Sequence, residues 1–377
     1  MKPLDSLGLP GHAGSKTRGL LHQLHLDLPL LVGLALLAGV GLVVLYSAGG
    51  EESELMLRQL VRLGIAAGVM FAVAQIHPAH FYRWAPWIYG LGLALLLAVL
   101  ILGEVGKGAQ RWLDLGVVRF QPSELMKIAV PMMVAWFLSD AALPPARRRL
   151  LASGLLLAVP MLMVAKQPDL GTALLIGSAG FFVLVLAGMH WRIIIGLGAL
   201  LAATAPLVWT VMHDYQRQRV LTFLNPEQDP LGSGYHIIQS KIAIGSGGLY
   251  GKGWLNGTQS HLDFLPERST DFVFAVFSEE FGFIGVLLLL GLYVFVIARG
   301  LYIAGQAQDT FTRLFAGALT LTFFVYVFVN IGMVIGLLPV VGLPLPLISY
   351  GGTSLVTMMA AFGILMSIHT HRKLIAS

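Results

Sequence analysis

Asp271 closes the run Leu265-Pro266-Glu267-Arg268-Ser269-Thr270-Asp271 and stands directly before a long apolar segment. A carboxylate at such a boundary is partly desolvated, which raises its pKa toward the range of a general base. The N-terminus of a helix starting there pulls the other way, so the sign of the net shift stays open. Glu124 and Lys127 open another apolar segment and fall i, i+3 on one helical face. Charges inside an apolar helix are costly and usually face a cavity and serve a function; the alternative is an ion pair buried for packing. Arg58 and Arg62, i, i+4 on a third segment, are either cations for phosphate or side chains snorkelling to lipid headgroups. Trp112 sits among Lys107, Arg111 and Arg119. It reads either as an interfacial tryptophan or as an aromatic platform for a sugar, edged by arginines for phosphates.

The glycine-rich run Gly245-Ser246-Gly247-Gly248-Leu249-Tyr250-Gly251-Lys252-Gly253 fails the spacing of a nucleotide-binding P-loop. A flexible or backbone-exposing loop is the better reading, one that could approach pyrophosphate oxygens. No set of side chains with metal-ligand spacing stands out; a divalent cation could assist, but nothing demands one. The chain has no cysteine, which excludes disulfides, a thiol nucleophile and thiolate metal sites.

These residues need elements to hold them, and composition says of what kind. Of the 377 residues, 56% are hydrophobic and 11% charged, against roughly 25% charged in soluble domains. That is too little charge to cover a soluble surface, so the chain reads as an all-α polytopic membrane protein. A membrane span takes ~20 apolar residues. Ten windows qualify: 28–48, 57–76, 85–102, 122–138, 150–165, 170–189, 193–212, 272–298, 314–337 and 351–368. The first window is long enough to span and is followed at once by others, so it reads as a retained helix. No internal repeat suggests an inverted-repeat transporter, and no tail is basic in the nucleic-acid manner.

Lys and Arg set the orientation. With the N-terminus cytoplasmic, Arg83, Arg147, Arg148, Arg149, Arg192, Arg299, Arg313, Arg372 and Lys373 all fall inside, and the segment with Glu51, Glu52 and Glu54 falls outside. Both termini are then cytoplasmic. Residues 1–27 form an N-terminal tail, 28–369 the transmembrane domain and 370–377 a C-terminal tail. Two outer segments are long: 103–121, and 213–271 between the seventh and eighth helices. The second alternates an amphipathic piece (235–244) with glycine-rich turns and is expected to form short interfacial helices.

The stretch from Asn330 to Ser354, with Gly336, Pro339, Gly342, Ser349, Tyr350, Gly351 and Gly352 at fixed spacing, is the most specific feature. Together with Gly108-Ala109-Gln110-Arg111-Trp112, Phe120-Gln121-Pro122-Ser123-Glu124, Gln167-Pro168-Asp169-Leu170-Gly171-Thr172 and Pro266-Glu267-Arg268-Ser269-Thr270-Asp271, it resembles the SEDS family (shape, elongation, division and sporulation). The resemblance covers the chain beyond its N-terminal tail; Ser269 stands where a histidine is frequent. It implies ten transmembrane helices and a peptidoglycan glycosyltransferase that polymerises lipid II on the outer face of the bacterial inner membrane. The family's essential aspartate falls on Asp271, its important tryptophan on Trp112, and its buried Glu and Lys on Glu124 and Lys127. Residues lining the same cavity fall on Arg58, Arg119 and Gln121.

The resemblance also implies partners: lipid II, a glycan on undecaprenyl pyrophosphate, a class B penicillin-binding protein with transpeptidase activity, and other membrane proteins of the elongation complex. No nucleic acid partner is expected. Two other readings compete. A lipid II flippase also uses intramembrane charges such as Glu124 and Lys127, but needs no outward carboxylate at Asp271. A scaffold that only recruits a synthase needs neither Asp271 nor Trp112.

Overall fold

A computed structural model describes residues 24–106, 109–114, 119–212, 214–229, 232–258 and 267–371. Helices α1 (Leu28–Ala48), α2 (Ser53–Ala74) and α3 (Pro78–Leu102) come first. A small antiparallel sheet follows, β1 (Glu104–Gly106), β2 (Ala109–Asp114) and β3 (Arg119–Phe120), in the order β1-β2-β3. Next come α4 (Pro122–Ser139), α5 (Arg147–Lys166), α6 (Leu170–Leu186) and α7 (Trp191–Val211). The long connection contains α8 (Asp214–Leu224) and α9 (Ser233–Ser246), and the chain ends in α10 (Val273–Gly305), α11 (Thr310–Val334) and α12 (Thr353–Thr370).

Each of the ten apolar windows holds one helix, α1 to α7 and α10 to α12. Seven of these are long and apolar enough to cross a membrane: α1, α2, α3, α5, α10, α11 and α12. Helices α6 and α7 carry shorter apolar stretches, and α4 carries Glu124 and Lys127 in its first two turns. The sheet amends the all-α expectation. Segment 103–121 is too short and mixed in pattern to announce strands, yet the pairs Glu104↔Trp112 and Leu113↔Phe120 fix its register.

Helix starts follow local chemistry. Asp27, Asp169 and Asp309 cap α1, α6 and α11, accepting from Leu30 N, Thr172 N and Thr312 N, and Pro122 takes the first turn of α4, where a missing N–H costs nothing. Helix α4 is the hub. It packs on α3, α5, α6, α11 and α12, and most of its side chains are buried. Helix α1 packs on α10, α2 on α12, and α9 on α10. At the end of the bundle away from Asp271, Arg299 donates to both carboxylate oxygens of Asp27, at 2.9 and 2.6 Å.

Candidate functional site

Asp271 lies in the turn that leads into α10 and is half-buried. Its backbone is fixed from α11. The buried Asn330 amide donates to the Asp271 carbonyl at 3.0 Å and to the Leu343 carbonyl at 2.6 Å. The loop between α11 and α12 is stitched to the same turn. Tyr350 N donates to Ser269 O at 2.8 Å, and Ser349 Oγ donates to Thr270 O at 2.5 Å. Gly342 has φ 76°, a conformation that disfavours any side chain. The Asp271 Oδ2 sits against it, 3.4 Å from where a Cβ would stand. Backbone spacing therefore leaves the carboxylate uncrowded on that side.

A second cluster surrounds the start of α4. Lys127 Nζ lies 2.7 Å from Glu124 Oε1, with both side chains buried. The ammonium also stands 5.1 Å over the Tyr326 ring of α11, a cation–π distance. Gln121 donates to Asp169 Oδ2 at 3.5 Å, and Arg111 Nε lies 3.3 Å from the same oxygen. Asp169 thus caps α6 and collects Arg111 and Gln121 around one buried carboxylate. Arg111 also donates to Pro168 O at 3.2 Å.

The α11–α12 loop joins the two clusters. Gly171, two residues after Asp169, packs so closely under Val341 that a Cβ there would stand 2.4 Å from Val341 Cγ1. Val341 precedes Gly342, which faces Asp271. Tyr326, over Lys127, lines a small cavity with Leu345, Ser349 and Gly351 of the same loop. The loop therefore touches Asp271 on one side and the surroundings of Lys127 and Asp169 on the other.

The other sequence-derived residues sit as follows. Trp112 is half-buried in β2 opposite Glu104. Successive strand residues point to opposite faces, so with Arg111 turned to Asp169, Trp112 faces away from that carboxylate. Arg119 pairs in register with Asp114, and its side chain lies outside the described part of the structure. Arg58 is exposed on α2 and ion-paired with Glu54. Its neighbour Arg62 lies 4.2 Å over the Tyr350 ring, and Arg58 interacts with the same tyrosine, so α2 reaches the Asp271 turn through Tyr350.

Sequence reasoning left three contributors unassigned as site residues, Asp169, Asn330 and Tyr326, and read Arg111 only as an edge of the Trp112 platform. Asp169 had a usable signal, an acid immediately before an apolar run. Its pairing with Arg111, 58 positions earlier, had none. The glycine-rich run also reads differently in three dimensions. The amides of Lys252 and Gly253 donate to the carbonyls of Glu279 and Glu280, each at 3.0 Å. Those backbone groups face α10 and are not turned toward a pyrophosphate.

A protein-family model described as "Cell cycle protein", covering FtsW, RodA and SpoVE, matches residues 25–374. Peptidoglycan glycosyltransferase MrdB of Escherichia coli K12 is 55% identical over 355 residues, which are 94% of this chain and 96% of that protein. Peptidoglycan glycosyltransferase RodA of Treponema pallidum is 31% identical, covering 92% of this chain and 98% of that protein. Among solved structures, a chain described under structural coordination of polymerization and crosslinking by a peptidoglycan synthase complex superposes with a TM-score of 0.80 at 33% identity, covering 92% of this chain and 99% of that one. Rod shape determining protein RodA of Thermus thermophilus gives 0.70 at 30% identity, covering 92% and 98%. Agreement of sequence and fold over nearly the whole length shows the kinship: the chain belongs to the FtsW, RodA and SpoVE family of cell cycle proteins, the SEDS family.

Proposed function

We propose that this chain is a peptidoglycan glycosyltransferase that polymerises lipid II into β-1,4-linked glycan strands during cell elongation. The donor is a glycan carried on undecaprenyl pyrophosphate, and the acceptor is the 4-hydroxyl of the GlcNAc in lipid II. The hydroxyl oxygen attacks the anomeric carbon of the donor. The bond from that carbon to the pyrophosphate breaks, its electron pair leaves on the pyrophosphate, and the hydroxyl proton passes to the Asp271 carboxylate. A single displacement inverts the anomeric carbon, from an α-linked donor to a β linkage.

One observation carries the reading: Asp271 is held by its own backbone, through buried Asn330, with its carboxylate against side-chain-free Gly342. A base acts by position first and pKa second, and this arrangement fixes position and leaves no side chain on the Gly342 side of the carboxylate. Lys127 and Arg119 are the cations that offset the leaving pyrophosphate, and Arg58 binds its phosphates in the bound substrate. Glu124 orients Lys127, Gln121 supports the Asp169 cluster, and Trp112 offers a flat face to a sugar.

The reading places ten helices across the inner membrane, both termini in the cytoplasm and Asp271 on the periplasmic side. The distribution of cations supports it, since Arg299 and Arg313 lie near the opposite end of the bundle from Asp271. The partner is a class B penicillin-binding protein, which supplies the transpeptidase; the likeness to a chain of a peptidoglycan synthase complex supports that pairing.

The test is polymerisation of lipid II by the purified protein with its penicillin-binding partner, in detergent, with the other glycosyltransferase family inhibited. Wild type makes glycan strands; Asp271→Ala and Asp271→Asn make none while the complex stays assembled. Full polymerisation by Asp271→Ala would falsify the assignment. Translocation of lipid II in vesicles without any polymerisation would favour the flippase.

A further inference from the structure

Helix α10 carries Asp271 just ahead of its first turn, but it is not one continuous rod. At Gly282 the backbone takes φ 63° and ψ −167°, and the i→i−4 ladder is interrupted there. The stub from Val273 to Phe281 is therefore not aimed by the rest of the helix. Something else must set its direction, and the glycine-rich turn fills the break.

Lys252 N and Gly253 N donate to Glu279 O and Glu280 O, and Phe283 N and Ile284 N donate to Gly248 O and Leu249 O, at 2.9–3.1 Å. The approach requires glycine on both sides: a Cβ on Gly251 would stand 2.1 Å from Glu280 O, and one on Gly282 would stand 2.2 Å from Gly251 N. Side chains fasten the same junction. Glu279 is fully buried and lies 2.6 Å from Lys252 Nζ. Its Oε1 also accepts from Thr258 N and Thr258 Oγ1, each at 2.9 Å. A pair that buries a carboxylate is costly to assemble unless its geometry is good.

We infer that the Lys252–Glu279 pair is a positioning device for Asp271: it locks the glycine-rich turn into the break in α10 and so fixes the direction of the stub that presents the base. The inference rests on the reading of Asp271 as the base. The break at Gly282 lies 11 residues beyond Asp271, about 16 Å along a helix. A tilt of ~5° at the break then moves Asp271 by ~1 Å, a displacement that costs on the order of 100-fold in rate.

The experiment uses the full chain with its penicillin-binding partner and has two arms. The first measures kcat and KM for lipid II. Lys252→Met lowers kcat by roughly 10- to 100-fold with KM within about twofold, and Lys252→Arg restores most of the rate. Because Lys252→Met takes the lysine away from a buried carboxylate, the double variant Lys252→Met/Glu279→Gln is measured beside it. It recovers thermal stability without recovering kcat. A stable double variant with wild-type kcat overturns the inference, since the pair then serves stability alone. The second arm is amide hydrogen exchange over residues 267–275, which needs no turnover. Faster exchange in the stable double variant supports the inference; unchanged exchange overturns it. If wild type makes no glycan, the proposed function fails and the exchange arm alone decides the role of the pair.

Discussion

Asn330 and Asp271 meet through the backbone: the Asn330 side-chain amide donates to the Asp271 carbonyl at 3.0 Å. The same nitrogen donates to Leu343 O at 2.6 Å, so both of its hydrogens bind the two strands of chain that form the site. Asn330→Ala leaves one buried and one part-buried carbonyl without that donor. Each orphaned group costs about 1–3 kcal/mol, and the Asp271 turn loses its anchor. The expected result is a clear drop in thermal midpoint and a loss of polymerisation of at least about 100-fold. Asn330→Asp removes the donors while keeping the shape and is expected to do no better. Retained activity in a destabilised Asn330→Ala protein would show that the anchor is structural only.

Glu124 and Lys127 pose the same question of structure against chemistry. Both are buried, 2.7 Å apart. Removing one partner of such a pair typically costs about 3–5 kcal/mol because the other charge stays behind, whereas neutralising both is often nearly neutral. Lys127→Met is therefore expected to lose both stability and activity. The double variant Glu124→Gln/Lys127→Met is expected to regain the thermal midpoint but not the activity, since the cation for the pyrophosphate is absent. Recovery of activity along with stability would remove Lys127 from the mechanism.

Arg58 and Arg62 are one helical turn apart but differ in surroundings. Arg58 is exposed beside Glu54, and an exposed pair contributes about 0–1 kcal/mol. Its substitution by alanine is expected to leave stability within about 0.5 kcal/mol and to raise KM for lipid II with little change in kcat, the signature of lost uniform binding. Arg62 lies 4.2 Å over the ring of Tyr350, whose N–H holds Ser269 O at 2.8 Å. Arg62→Ala is expected to lower kcat through the Asp271 turn. Arg62→Lys is expected to rescue poorly, because an ammonium lacks the planar face that stacks. Steady-state kinetics on the three variants separates the two roles.

The helices were legible because a run of ~20 apolar residues is a strong and local signal. Ten such runs hold ten helices. Asp271, Glu124 and Lys127 were legible for a related reason: a charge at the edge of an apolar run has few neutral explanations. What stayed hidden was pairing across distance. Nothing in the spacing says that Arg111 meets Asp169, or that the glycine-rich run closes a break in α10. Glu279 and Glu280 sit inside the apolar window 272–298, where two adjacent acids were themselves a signal of buried partners. Their partners, Lys252 for one and Ser47 for the other, are recorded only in the fold. The sheet in 103–121 was hidden by brevity, since three to six residues of alternation do not separate from a loop.

His236 of α9 gives the pH dependence. Its ring packs against Phe272, the neighbour of Asp271, with centroids 5.7 Å apart. Nδ1 is buried without a hydrogen-bond partner among the described residues. Burial pushes the pKa of His236 below its ordinary value of 6.5, and the carboxylates of Glu267 and Asp229 only partly oppose that shift. The folded protein therefore prefers the neutral imidazole, and the unfolded chain binds more protons below pH 6.5. Linkage then requires stability to be at its full value above about pH 6.5 and to fall as pH drops through the folded-state pKa, levelling below it. His236→Gln removes this titration. The difference in thermal midpoint between wild type and His236→Gln is expected to move against wild type between pH 7.5 and pH 5. A difference that is flat across that range would show that His236 does not titrate with folding.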